Sequence, residues 1–277
     1  MKRILFVLSG LALLTGCTER IDLELNDEDA QRLVVEGWVT DELKPQEVKL
    51  TLTTSYFYTE AAPRVSGATV TISDGTNTWN LTEDNEAGIY LSDPFAGEAM
   101  ETYTLNINYN GENYSASSTL RPTAPIDSVA VVVFDPAEEF GIPIDPYYSV
   151  RLWSQELPGV GDSYLWKLWV NDEPVRDTLT ELTITTDELF DGWYVADVEV
   201  HNLQINEEAF PGDTVTLEQW NIGYEGYQVF FGIANETAFN GGLFDAPPAN
   251  VETNLSNGAL GYFGAAGVSR KSAVIVE

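Results

Sequence analysis

Two runs of alternating apolar and polar residues, joined by an Asn-Gly pair, constrain the fold of this chain more than any other feature. They read TYTLNINYNGENYSASSTL over residues 102–120. An apolar side chain at every second position is typical of a strand with one buried face, and Asn110-Gly111 is the favoured pair for a two-residue hairpin turn. That turn fixes the register of the hairpin. The predicted cross-strand pairs are Tyr109 with Glu112, Ile107 with Tyr114, and Leu105 with Ala116.

The same two-residue period recurs along most of the chain. Before the hairpin it is found in QEVKLTLTT (46–54) and GATVTISDG (67–75). After the hairpin it predicts strands in PYYSVRLWS, SYLWKLWVN, WYVADVEV and DTVTLEQWNI. The segment DSVAVVVFD (127–135) is apolar on both faces, as expected of the central strand of a sheet.

One segment, YEGYQVFFGIANETAF, has a helical period instead. Apolar residues recur there at spacings of three and four, which predicts a helix from Tyr224 to Phe239 with one face packed on a sheet. The predicted packing face consists of Tyr224, Tyr227, Phe231, Ala234 and Ala238.

A proline-rich segment divides the predicted strands into two groups. RPTAPID, at 121–127, contains two prolines and no period, which is typical of a linker. We therefore predict a mainly β fold with two β-sandwich, immunoglobulin-like domains, over residues 32–121 and 122–277, and one packed helix in the second. Near the end of the chain, glycines three residues apart indicate bulges or close backbone approach. They are Gly258, Gly261, Gly264 and Gly267.

The chain begins MKRILFVLSGLALLTGC, with the charged start, short apolar run and small residues of an export signal. The apolar run is too short to span a bilayer, which takes about 20 residues. Its end, LLTGC, resembles the lipobox of bacterial lipoproteins. We predict a signal peptide over residues 1–16, lipid attachment at Cys17, and an acidic tether over residues 17–31. The alternative is an ordinary signal peptide in which the cysteine occurs by chance.

The charge of the chain excludes one class of partner. It has 13 Lys and Arg against 44 Asp and Glu, a formal net charge of −31. Such a chain has no basic stripe for phosphates, so we predict no nucleic-acid partner. An anionic membrane surface would also repel it, which leaves the lipid on Cys17 as the membrane contact. Because Cys17 is the only cysteine, the processed body forms no disulfide.

Common catalytic groups are scarce in this sequence. His201 is the only histidine, and its neighbours ADVEVHNLQI alternate as in a strand, which favours a structural or surface role. One histidine cannot supply the several ligands of a usual zinc site. A nucleophilic triad would have to use His201, and no nucleophile-elbow motif GxSxG occurs. A pair of carboxylates for glycoside hydrolysis needs a cleft, which a sequence does not show. We predict no catalytic residues, no cofactor and no metal.

Two acidic segments and one aromatic segment leave alternatives open. EDNEAG (83–88) lacks an oxygen ligand at Ala87, so it is not an EF-hand loop. The acids Asp135, Glu138, Glu139 and Asp145 lie in one loop and could bind calcium. In SYLWKLWVN, Trp166 and Trp169 point to opposite faces of a strand, so at least one lies in a core. The alternative is an aromatic platform for sugar binding.

Four segments carry a resemblance to a known family. They are LVVEGWVTDE, VSGATVTISDG, TAPIDSV and, most specifically, PPANVETNLSNGALGYFGAAGVS. On these segments the chain resembles the Bacteroidota outer-membrane lipoproteins grouped as domain of unknown function 4249. The resemblance implies a two-part, β-rich lipoprotein often encoded beside a TonB-dependent receptor. It implies no established activity, and Cys17 is the only functional residue that it transfers.

These observations together predict a non-enzymatic lipoprotein, anchored to the outer membrane through Cys17, that binds a ligand or assists an outer-membrane receptor in nutrient uptake. The alternatives are a surface hydrolase of glycans or peptides that uses carboxylates, and an adhesive or structural module. The predicted contact regions are Phe140 to Tyr148 and Leu243 to Asn254, because both combine apolar residues with proline, which keeps a loop stiff.

Overall fold

The hairpin at Asn110-Gly111 forms with the predicted register. In the computed structural model, residue pairs 109/112, 107/114 and 105/116 lie opposite one another. Asn110 and Gly111 have φ angles of 51° and 82°, as a two-residue turn with two left-handed positions requires. The structure describes residues 31–54, 61–175, 178, 181–238 and 251–276. Strands take up 52% of these residues and helices 9%, which confirms the mainly β prediction.

The strands in chain order are β1 (Leu33–Thr40), β2 (Glu47–Leu52), β3 (Thr69–Ser73), β4 (Thr78–Glu83), β5 (Ile89–Leu91), β6 (Thr102–Tyr109), β7 (Glu112–Thr119), β8 (Ile126–Phe134), β9 (Tyr147–Gln155), β10 (Ser163–Val170), β11 (Glu173–Val175), β12 (Thr183–Thr186), β13 (Tyr194–Gln204), β14 (Thr214–Asn221), β15 (Leu260–Ala266) and β16 (Val268–Val274). The helices are α1 (Pro136–Phe140) and α2 (Gly223–Ala238). No helix in the described part of the chain is long and apolar enough to cross a bilayer.

The first sheet has eight strands in the order β15-β1-β2-β5-β4-β3-β6-β7 and is nearly closed into a barrel. Its inward-facing apolar side chains, such as Leu50, Ile72 and Leu105, form one buried core. The Asn254 side chain helps to close the gap between the edge strands β15 and β7. Its amide exchanges hydrogen bonds with the backbone of Phe263 and donates a further one to the carbonyl of Ser117.

Two smaller sheets share the second core. One has the order β11-β10-β14-β16, with β12 also paired to β10, and the other has the order β13-β9-β8. The core between them includes Tyr148, Trp166 and Leu217. A third apolar cluster, around Leu165 and Trp220, lies where the first sheet, the second sheet and α2 meet.

The chain leaves the first sheet at two neighbouring points. The predicted linker at 121–127 leads out of the first sheet, and Gly267 leads from β15 in the first sheet to β16 in the second. A side chain on Gly267 would lie 2.8 Å from the carbonyl oxygen of Arg121. The glycine therefore permits close backbone approach, as predicted. The domain bounds 32–121 and 122–277 stay a prediction, and the first sheet also takes in residues 260–266.

Two predictions about packing are wrong. Strand β8 is an edge strand rather than a central one, and its Val133 is 61% exposed. Helix α2 lies where predicted, but it packs mainly through Val229, Phe230 and Ile233. Of the predicted face, Tyr227 packs against the third apolar cluster, whereas Tyr224 and Phe231 are about half exposed. The helix has apolar residues on two faces, and the sequence period selected the face that is only partly covered.

Candidate functional site

A cavity of about 550 Å³ lies where the two larger sheets and α2 meet. We call it the junction cavity. Strands β1 and β15 form one wall, β10, β11 and Leu182 form another, and α2 forms the third. Its lining residues include Trp38, Leu165, Lys167, Trp169, Phe230 and Tyr262.

Alternation along two strands directs these side chains into the cavity. On β1, Leu33 and Val35 point into the first core, so Trp38 lies on the opposite face and lines the cavity. Gly264 lies beside Trp38 in the parallel pair of β1 with β15. A side chain on Gly264 would come within 2.2 Å of the Trp38 ring, so only glycine leaves room for this indole.

Aromatic rings hold one wall of the cavity in place. The Trp38 ring lies edge-on to Trp220 at a centroid distance of 5.5 Å and edge-on to Tyr262 at 5.6 Å. It stacks on Phe230 of α2 at 6.1 Å. Such ring pairs contribute about 0.5–1.5 kcal/mol each beyond the area they bury. The wall is therefore preformed and apolar.

Lys167 brings a positive charge to this apolar site. Its Nζ lies 3.7 Å from the centroid of the Trp220 ring, a cation–π contact. Burial lowers the pKa of Lys167 to about 8, although the nearby Glu218 carboxylate acts in the opposite direction. Glu218 is engaged elsewhere, since it accepts hydrogen bonds from Arg270 at 2.9 Å and from the Trp220 indole at 3.0 Å.

A second hydrogen-bond donor of this site has no acceptor. The Nε1–H of Trp169 is buried, and none of the described residues accepts a hydrogen bond from it. Glu36, the acid that lines the cavity, has a side chain more than half exposed and pairs with Lys49 at 2.8 Å. The site therefore offers two unsatisfied donors within apolar walls.

A cluster of carboxylates lies near the other face of β10. Glu156, Asp162 and Asp187 are all buried, and one ligand oxygen from each lies within 4.8 Å of the others. Asp187 accepts backbone N–H bonds from residues 161 and 162 at 2.9 and 3.0 Å. Arg121 lies 3.3 Å from Asp162. We call these three acids the carboxylate cluster.

The Glu156 carboxyl connects this cluster to a second cavity of about 550 Å³. Burial is the main cause that raises the pKa of Glu156 to about 7, and the charges of Asp162 and Asp187 add to it. The Tyr164 hydroxyl donates to Glu156 at 2.8 Å and opposes the rise. Three carboxylates at this spacing have the chemistry of a site for a hard divalent cation such as Ca²⁺.

The structure separates the acids of the predicted calcium loop. Asp135 is the N-cap of α1 and accepts from the backbone of Ala137 and Glu138. Within the described ranges, the carboxylate cluster is the one group of three potential metal ligands that converges. In EDNEAG, Glu83 accepts from the backbone of Gly67 and Gly88, which orders the turn between β4 and β5.

The other predicted residues fall in different places. His201 lies buried in β13, with Nε2 at 3.4 Å from the Trp166 carbonyl. Trp166 packs in the second core and Trp169 lines the junction cavity, which confirms that the pair divides between two faces. Residues 140–146 are exposed, whereas Tyr148 is 3% exposed in a core. Cys17 and residues 243–250 lie outside the described residues.

Sequence reasoning missed Lys167 and the whole carboxylate cluster. Lys167 had a signal, because it is the one charged residue in SYLWKLWVN, a strand that is apolar on both faces. The cluster had none. Its three acids are separated by up to 31 positions and share no local pattern, and only the folding of two loops brings them together.

Comparison with known proteins identifies the family of this chain. The family model described as Domain of unknown function (DUF4249) matches residues 18–272. A comparison with curated proteins finds no match. The structure of the Yersinia pseudotuberculosis adhesin InvE is similar at 15% identity and a TM-score of 0.22, over 70% of this chain and 56% of the adhesin. The chain thus matches little more than half of that protein, and so low a score carries no argument.

Proposed function

This chain belongs to the DUF4249 family, and we propose that it is a lipid-anchored outer-membrane protein that binds a ligand beside a TonB-dependent receptor, without catalysis of its own. The observation that carries this proposal is the junction cavity. Its size suits a small molecule, its walls are apolar and aromatic, and it contains few polar groups, as ligand sites generally do.

The anchor part of the proposal rests on Cys17 and the export signal before it. Mass spectrometry of the N-terminal peptide from membrane-extracted protein should show a diacylglyceryl group on Cys17. The variant Cys17→Ala should release a folded body from the membrane. An unmodified thiol on the mature, membrane-bound protein would contradict the anchor.

The receptor part rests on an exposed apolar loop. Phe140, at the end of the short helix α1, and Ile142 and Ile144 after it are 67%, 44% and 56% exposed. Exposed apolar side chains close together in a chain are typical of protein contact surfaces. We narrow the contact region to 140–146, since Tyr148 belongs to the core.

Co-purification tests the receptor part. A tagged wild-type protein should recover an outer-membrane receptor from detergent extracts of the organism that encodes it. Phe140→Ser and Ile144→Ser should reduce the recovery, whereas Val160→Ser, at another exposed apolar residue, should not. Recovery of no receptor by the wild type would refute the partnership, and equal recovery by all variants would refute the loop.

One observation favours the hydrolase as a second candidate. Glu156 lines a cavity and has a pKa raised to about 7, which suits a general acid. Against it, Asp162 and Asp187 do not line that cavity, and the other acid that does, Glu199, already accepts hydrogen bonds from Ser149 and Tyr147. Turnover of a glycan or peptide that Glu156→Gln abolishes would favour the hydrolase. No feature of the described residues favours an adhesive module specifically.

The finer fold assignment, two immunoglobulin-like sandwiches, is also a proposal. Strand β4 supports the first sandwich, because residues 78–81 pair with β3 and residues 82–83 pair with β5, so that the sheet can fold into two layers about this strand. The second sandwich would consist of the two smaller sheets, which share a core. An experimental structure of the processed protein tests both.

A further inference from the structure

We propose that the junction cavity binds a small organic anion, a molecule with a flat apolar body and one carboxylate or sulfonate group. This inference rests on the ligand-binding function proposed above and gives the chemical class of the ligand. Two independent observations point to an anion, and the cavity walls point to an apolar body.

The first observation is the ammonium group of Lys167. It is partly buried, and its contact is the face of the Trp220 ring, since no described carboxylate lies within 4 Å of it. A charge that loses hydration without gaining a counter-ion is costly, and proteins generally pair it. Glu218, directly across the strand pair, is held by Arg270 and Trp220 instead. The charge balance of the site is therefore incomplete without an anion.

The second observation is the indole N–H of Trp169. This buried N–H has no hydrogen-bond partner among the described residues, and Trp169 lines the junction cavity. Lys167 and Trp169 are two positions apart on β10, so their side chains lie on the same face of the strand, about 7 Å apart at the backbone. Both residues therefore lie on the cavity side of β10, and neither donor has an acceptor among the described residues.

The walls determine the rest of the ligand. Leu165, Phe230, Ile233 and the indole of Trp38 surround the space, and its volume lies in the range of small-molecule sites. A cationic ligand would be repelled by Lys167, and a neutral one would leave the ammonium unpaired. Glu36, on the rim, is already neutralised by Lys49 and does not oppose an anion deeper in the site.

A matched pair of probes tests the charge requirement. Calorimetric titration should compare naphthalene-2-carboxylate with the neutral naphthalene-2-methanol, on residues 17–277 carrying Cys17→Ser so that no detergent competes for the probe. The carboxylate should bind at least about 10-fold more tightly than the alcohol, because a hydrogen bond to a charged group contributes more than one to a neutral group. Equal affinity for the two probes, or no binding of the carboxylate, would overturn the proposal.

Three variants locate the site. Lys167→Met and Trp169→Phe should each weaken binding of the carboxylate, by about 10- to 100-fold and about 3- to 10-fold. Lys271→Met removes the same charge from an exposed position on β16 and should leave the affinity unchanged. Trp169→Phe keeps an aromatic ring and removes the N–H, so it tests the site even if Lys167→Met fails to fold. Unchanged affinity in both cavity variants would refute this site, whereas receptor co-purification is scored separately and tests the function itself.

Discussion

Strand β10 separates two charged sites that differ in how many of their polar groups have hydrogen-bond partners within the protein. On one face, the ammonium of Lys167 and the N–H of Trp169 lack acceptors within the described structure. On the other, the carboxylate cluster draws hydrogen bonds from backbone N–H groups, a tyrosine hydroxyl and an arginine. The cationic site depends on a ligand that comes from outside, whereas the anionic site is largely satisfied by its own loops.

This difference indicates separate roles for the two faces. A site whose polar groups are already paired connects parts of the fold. The carboxylate cluster holds residues 156–162 against the loop that contains Asp187 in this way. A site with unpaired donors costs stability that ligand binding can recover. The junction cavity therefore suits reversible binding, and the carboxylate cluster suits structure.

The largest expected effect is a difference in the free energy of unfolding between variants of the two tryptophans of β10. Trp166→Ala should lower the free energy of unfolding by about 3–5 kcal/mol, because it empties a core position and leaves Gln219 without its indole donor. Trp169→Ala should cost less than about 2 kcal/mol, since this ring borders a cavity. Urea unfolding of both variants measures the difference, and equal losses would show that the cavity face is packed like a core.

A smaller effect is expected at the carboxylate cluster. Asp187→Ala should lower the free energy of unfolding by about 2–3 kcal/mol, because the backbone N–H groups of Gly161 and Asp162 lose their acceptor. Asp145→Ala, at an exposed aspartate, is the matched control and should cost less than about 0.5 kcal/mol. A gain in stability for Asp187→Ala would mean that repulsion among the three acids outweighs their hydrogen bonds, as in a site built for a cation.

The smallest effects are the opposite pH dependences of the two sites. The raised pKa of Glu156 means that the folded state binds its proton more tightly, so this group's stabilisation is lost as the pH rises from about 4.5 through about 7. The lowered pKa of Lys167 means the reverse, so stability is gained as the pH rises from about 8 towards 10.5.

Variants isolate each contribution from the other titrating groups. Relative to the wild type, the stability of Glu156→Gln should rise by about 1–3 kcal/mol between pH 4.5 and 7, and that of Lys167→Met should fall by about 1–3 kcal/mol between pH 8 and 10.5. Denaturant midpoints across these pH ranges provide the measurement. A difference between wild type and variant that does not change with pH would contradict the assigned protonation.

Local patterns predicted the elements of this fold better than their surroundings. The Asn110-Gly111 hairpin was predicted with its register, because turn chemistry and alternation agree within 19 residues. The position of α2 was predicted as well, but most of its packing face was not, since Tyr224 and Phe231 stack on either side of Tyr227 and stay about half exposed. A helical period reports which residues share a face and cannot tell which of two apolar faces meets the sheet.

The sequence by itself determined the strands, the hairpin register, the family and the expectation of an anchor at Cys17, because each depends on residues close together in the chain. Only the tertiary structure decided the two sites on β10. Trp38, Lys167, Phe230 and Tyr262 come from four distant elements, and the three clustered acids come from two loops, with Glu156 and Asp162 in one and Asp187 in the other. The pairing of β15 with β1 sets the first group, since residue 264 must lie beside residue 38 before the cavity wall exists. Such contacts depend on which strands pair over long separations, and no local pattern specifies that choice.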